Sequence, residues 1–298
     1  MDYTADEHPI LRFTSASICS VLVVLLCATS VWAQQEPGEL VDSPRDRRAQ
    51  TGMKFLEVSL TPRAAAMASA MTADEDAGSS AAFYNPAALG RTDNTVSASL
   101  GRLQWIMDIN YNYASVSYVP SGGAYGAFGL SVISVDYGDF QETIRWDNDQ
   151  GYLDIGDFSP SATAVGLTYS RVLTTQFVVG GGVKYAQQDL TSSIVSAEEQ
   201  GNYERSDWSE GVIAYDFGVI YRTGFRSLNF AVSVRNLASE VTYADEPFEL
   251  PLTFRIGLGA DLADFTPLDS EIHDLNLAVD DERPRDFDEN VRVGLEYL

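Results

Sequence analysis

Few residues of this chain are equipped for chemistry. His273 stands in SEIHDLN beside Ser270 and Asp274, the residue types a serine hydrolase at a membrane edge would assemble. A lone histidine at the start of a strand reads better as a turn residue. Asp286-Phe287-Asp288-Glu289-Asn290 opens like a calcium loop, but Val291 takes the place of the turn-making glycine and no Glu stands at the twelfth position, which is Tyr297. A solvated hairpin loop is the better reading. Gly180-Gly181-Gly182 and Gly257-x-Gly259 lie inside strand-like segments, not at strand-to-helix turns, so they are not phosphate loops. No enzyme activity, cofactor or metal is expected.

The cysteines, Cys19 and Cys27, both fall in the apolar run that begins at Ile18 and ends at Val31-Trp32-Ala33. This run is shorter than the ~18 residues of a spanning helix and closes on a small-x-Ala pattern, so residues 1–33 read as a cleaved signal peptide. Asp2, Asp6 and Glu7 make its start acidic where a basic one is usual. The mature chain then holds no cysteine, which excludes disulfides, thiolate metal sites and a cysteine nucleophile. The net charge is −24, and −22 once Asp2, Asp6, Glu7 and Arg12 are removed. Such a field repels nucleic acid, which is not expected as a partner.

Residues 34–52 are Gln, Glu, Pro, Asp and Arg with little to bury, a flexible leader. Residues 53–94 differ. TPRAAAMASAM opens with a Thr cap and Pro at the first helical position, predicting a short helix over Thr61 to Met71.

From about residue 95 to 298 the chain becomes a series of two-faced segments. In LTFRIGLGADL, Phe254, Ile256 and Leu258 oppose Arg255, Gly257, Gly259 and Asp261, a period of two that means a strand. LNFAVSVRN, VIAYDFGVIYR, FVVGGGVKYAQ and the final VRVGLEY divide in the same way. About ten such segments begin near residues 95, 109, 123, 158, 176, 210, 226, 250, 273 and 288. Short turns such as LTTQ and RTGFRS alternate with long acidic loops such as YGDFQETIRWDNDQGYLDIGD and SAEEQGNYERSDWSE.

Two architectures fit. In a soluble exported β-sandwich the apolar faces would form the core. In a transmembrane antiparallel β-barrel they would face lipid, and three features favour this all-β class: polar faces rich in Gly, 15 Tyr, and alternating connection lengths. The inward charges are then Lys184, Asp216, Arg235, Arg255, Asp261, Arg292 and Glu296. They mix both signs, as a plugged, salt-bridged interior would. Short turns lie on the periplasmic side of such barrels, so residues 53–94 are expected at the periplasmic mouth as a helical plug.

FLEVSLTPRAAAMASAMTADEDAGSSAAFYNPAALG resembles the N-terminal signature of PorV/PorQ-type outer-membrane proteins. The likeness is carried by Phe55, Leu56, Arg63, Ala64, Ala65, Met67, Asp74, Asp76, Ala77, Tyr84, Asn85, Pro86, Ala87 and Leu89. It implies a barrel related to FadL, with this segment as its plug, beside the type IX secretion machinery. Its partners would be the lipid bilayer and secretion-system proteins or secreted cargo, and its place the Gram-negative outer membrane. A FadL-like channel for hydrophobic small molecules is the alternative. Family barrels carry about fourteen strands against about ten here, which implies a small barrel or one cut short at its C-terminus. Read physically, Pro86 forces Asn85 out of the α region, so the stretch must turn there into the first strand.

Overall fold

The computed structural model describes residues 50–199, 202–243, 246–266 and 273–298, all within one unit, Arg47–Leu298. The signal peptide and most of the leader lie outside the described residues, as does Ser270.

The two-faced segments form one antiparallel sheet. Its strands are β1 (Val96–Gln104), β2 (Asn110–Tyr118), β3 (Ala127–Asp136), β6 (Ser161–Val172), β7 (Phe177–Glu199), β8 (Asn202–Arg222), β9 (Asn229–Ala238), β12 (Thr253–Asp261), β13 (Leu275–Pro284) and β14 (Asn290–Tyr297). They pair in that order, each with the next, so β1 and β14 are the edges. Two hairpins stand outside the sheet: β4 (Phe140–Arg145) with β5 (Tyr152–Phe158), and β10 (Val241–Tyr243) with β11 (Glu246–Phe248).

Most strands begin within a few residues of expectation. The acidic stretch SAEEQGNYERSDWSE is the exception: it is no loop but the far ends of β7 and β8, paired through three register shifts. The loop YGDFQETIRWDNDQGYLDIGD likewise contains the β4–β5 hairpin. Exposed acids do not prevent a ladder whose backbone pairs with itself.

Connections 119–126, 173–176 and 223–228 and the described parts of 262–274 meet at one end of the sheet, here the turn end. The other, loop end carries 105–109, 137–160, the described parts of 239–252, and 285–289. The alternation of lengths is therefore looser than expected. Connection 105–109 is tight, closed by a Trp105 N–H bond to the Ile109 carbonyl at 2.7 Å, while 262–274 is long for the turn end.

The faces fall as the period of two predicts. Leu167, Tyr185, Phe217, Leu258 and Leu295 lie exposed on one face. The other face packs on residues 53–91, which form short turns of helix. Helix α1 (Pro62–Ala66) is capped by Thr61, whose hydroxyl accepts from the Ala64 N–H at 3.3 Å. It stops well before Met71, because Ala68 and Ser69 take positive φ values of 50° and 64°. Turns at Lys54–Glu57, Gly78–Phe83 and Pro86–Arg91 complete the segment.

Two apolar clusters hold it inside the sheet. At the loop end, Phe55, Leu56 and Leu60 pack with Tyr111, Val135, Ala186 and Leu250. At the turn end, Ala87 and Leu89 pack with Val119, Val178, Ile220 and Ala231.

Candidate functional site

The site is the filled inner face, where wall side chains grip residues 51–91. Gly180 and Gly218 open the wall for Asn85-Pro86. A Cβ on Gly180 would meet the backbone of Pro86 and Ala87, and one on Gly218 would meet the Asn85 side chain. Asn85 is fully buried. Its Oδ1 accepts from the Ala87 N–H at 3.0 Å, and its Nδ2 donates to the Thr72 carbonyl at 2.6 Å and the Val219 carbonyl at 3.5 Å. The NPA stretch is thus a turn capped by its own Asn and seated in a glycine notch. Around it, Ser233 donates to the Tyr84 carbonyl at 3.0 Å and Ser170 to the Ala87 carbonyl at 2.9 Å. The Tyr84 hydroxyl accepts from the Thr61 N–H at 3.1 Å.

The cationic side chains of the wall hold backbone carbonyls of the segment. Arg235 donates to Leu56 O at 3.2 Å, Arg255 to Ser69 O at 3.2 Å and Arg292 to Ala68 O at 3.3 Å. Arg255 and Arg292 share Glu282, Arg255 at 2.9 Å. Lys184 reaches both oxygens of Asp216, at 2.8 and 2.7 Å, and Asp216 also accepts the Asn236 N–H at 2.8 Å. A buried charge without such partners would be costly. Asp261 serves a connection instead, accepting from the N–H groups of Ala263 and Leu275 at 2.8 and 3.0 Å.

Among the signature residues, Arg63 donates to Glu296 and to Asp74, and Met67 lies buried against Gly294. Asp76 lies exposed at the rim, with only its backbone N–H on Asp74 at 3.3 Å.

Two acids that sequence reasoning missed sit at the heart of the contact. Asp280, fully buried, accepts from the Thr72 N–H at 3.0 Å and hydroxyl at 2.7 Å, and Glu282 joins two arginines. In LNLAVDDERP both faces carry charge, so the period that identifies β12 is blurred in β13.

The segment also runs farther than expected. Its first residues are tied at the loop end. Thr51 bridges Glu249 in parallel, and Asp286 accepts from Thr51 Oγ1 at 2.7 Å and pairs with Lys54 at 2.6 Å. Burial would raise the Asp286 pKa, but Lys54 and Thr51 hold it below its ordinary value. At the turn end Glu75 pairs with Arg91 at 3.1 Å and Arg222 at 2.7 Å, and Arg91 donates to the Thr175 carbonyl at 3.0 Å. Residues 51–91 thus run along the inner face from the loop end to the turn end.

Little space remains inside. Beside Lys184, Asp216 and Arg235 there is a cavity of about 20 Å³, and a polar one of about 340 Å³ opens at the turn end between Arg63, Asp76, Arg222 and Asp274. Burial, then Asp261 and Glu296, push the Asp274 pKa up. His273 stacks on Tyr297 and shares a 2.7 Å hydrogen bond with its hydroxyl. Among the described residues no three His, Cys, Asp or Glu side chains come together as metal ligands. Neither a scan of the sequence against protein-family models nor a search of curated proteins finds a match.

Proposed function

We propose that the sheet is the lipid-facing wall of an outer-membrane β-barrel of the PorV/PorQ type, filled by its own N-terminal segment, and that it acts as a binding or assembly component of protein secretion and surface attachment. One observation carries the membrane part. The sheet is inverted relative to a soluble protein: Asp216, Arg235, Arg255, Asp280 and Glu282 are buried, while Leu167 is 61% exposed, Phe217 49% and Leu258 45%. Water penalises such a continuous apolar surface, and lipid rewards it. A sandwich would cover that face with a second sheet, and among the described residues neither two-stranded hairpin forms such a layer.

The secretion role rests on the signature residues, most of which are engaged with the wall, while Arg63, Met67, Asp74 and Asp76 also line the polar cavity of about 340 Å³ that opens at the turn end. A FadL-like channel would need a lumen, and a space of about 20 Å³ beside Lys184 holds about one water. A filled barrel suits a docking platform better than a pore.

A deletion strain tests the reading. The protein should fractionate with outer membrane and migrate faster on a gel unboiled than boiled, and its loss should deplete many secreted proteins from the cell surface. Failure confined to uptake of an apolar nutrient would favour the channel, and solubility without detergent would favour the sandwich.

A further inference from the structure

We infer that the chain crosses the membrane once inside the wall, before any strand does, so that its N-terminal end is held on the outer side with the long connections while β1 starts on the periplasmic side. This rests on the outer-membrane reading above. Short turns face the periplasm in such barrels and longer connections face out, so the loop end is the outer end.

The residues that fix Thr51 to Lys54 all belong to the loop end. Glu249, in connection 239–252, accepts the Gly52 N–H at 3.0 Å and bridges Thr51. Asp286, in connection 285–289, takes Thr51 and Lys54, and the Lys54 ammonium lies 4.8 Å from the centre of the Phe287 ring. From there the wall holds the segment step by step: Arg235 on Leu56, Arg255 on Ser69, Asp280 on Thr72. The segment reaches the turn end at Glu75, where Arg222 meets it. It returns there at Arg91, bonded to Thr175 in the 173–176 turn, and only then enters β1.

The span fits. Phe55 to Asp74 can extend well beyond the ~25 Å apolar band of a barrel, even with one helical stretch in it. Gln50 to Lys54 therefore lie at the outer rim with Glu249, Asp286 and Phe287.

Single cysteines in a background with Cys19 and Cys27 replaced by Ser test this, using a membrane-impermeant maleimide on intact cells. Asp149→Cys marks the loop end and Thr175→Cys the turn end, and both positions are exposed, as is Gln50. Gln50→Cys should label as fast as Asp149→Cys, with Thr175→Cys labelled only after the outer membrane is opened. If Gln50→Cys stays protected with Thr175→Cys while Asp149→Cys reacts, the inference fails and the wall reading stands. If the two markers behave alike, the wall reading itself fails and takes the inference with it.

Discussion

Arg63 and Glu296 are 233 positions apart and form a fork: Arg63 Nε lies 3.0 Å from each carboxylate oxygen, and Nη2 donates to Oε2 at 2.8 Å. The pair ties the interior segment to edge strand β14, and Asp74 takes the remaining guanidinium face.

Both partners are only partly exposed, so the pair should be worth more than a surface bridge. Arg63→Ala should cost about 2 kcal/mol in urea unfolding of the detergent-solubilised protein. A double-mutant cycle with Glu296→Ala should give a coupling above about 0.5 kcal/mol. A coupling near zero would mean that the fork contributes no net stability.

The glycine notch makes a steric prediction. Gly180→Leu has to displace the backbone of Pro86 and Ala87, a change that costs about 1–3 kcal/mol or unseats the turn. Amide exchange at Ala87 to Leu89 should rise sharply. Gly181→Ala, where a Cβ would find its nearest contact at 3.7 Å, is the control and should leave exchange unchanged.

Asn85 needs both ends of its amide. Asn85→Asp keeps the acceptor for Ala87 but places a carboxylate against the Thr72 carbonyl, so it should destabilise more than Asn85→Ala, itself costing about 1–3 kcal/mol. Equal losses in thermal unfolding would show that only the cap to Ala87 counts.

The Asp286 clasp carries a pH dependence of known sign. Its folded pKa lies below the ordinary 3.8, so its stabilisation is present above that value and is lost as pH falls through the folded pKa. Acid should therefore lower amide protection, measured against the intrinsic exchange rate, at Thr51 to Phe55, and Lys54→Met should move that transition toward higher pH. An exchange profile that Lys54→Met leaves unmoved would assign the clasp to Thr51 alone.

Face assignment predicts opposite outcomes for residues on the two faces of the sheet. Leu258→Arg, on the exposed face, should cost about 2–4 kcal/mol if it lies at the bilayer midplane. Ser131→Ala, on the inner face of β3, should be close to neutral. Equal tolerance of both would argue against lipid on the outer face.

The strands were legible wherever charge kept to one face. In β12 the alternation of Phe254 and Leu258 with Arg255 and Gly257 is the burial pattern observed, up to the connection that Asp261 serves. In β13 it does not, because Asp281 and Arg283 put charge on the outer face as well, and Asp280 and Glu282 escaped notice. The extension of β7 and β8 was hidden by acidic composition, since pairing there is carried by backbone. The path of residues 51–91 was the least legible. It makes mostly long-range contacts, such as Thr51 with Asp286, that leave no local period.

The free edges of the sheet have a consequence for how the molecule is made. A ring closed before residues 51–91 were in place would demand that they be threaded through it, and threading is something chains avoid. Here the segment precedes every strand, and β1 and β14 are unpaired edges. It can thus serve as a mandrel: residues 51–91 are made before these strands and lie down, and strands β1 to β14 are wound round them in the order of synthesis. Glu296 on Arg63 is then the fastening that holds β14 to it.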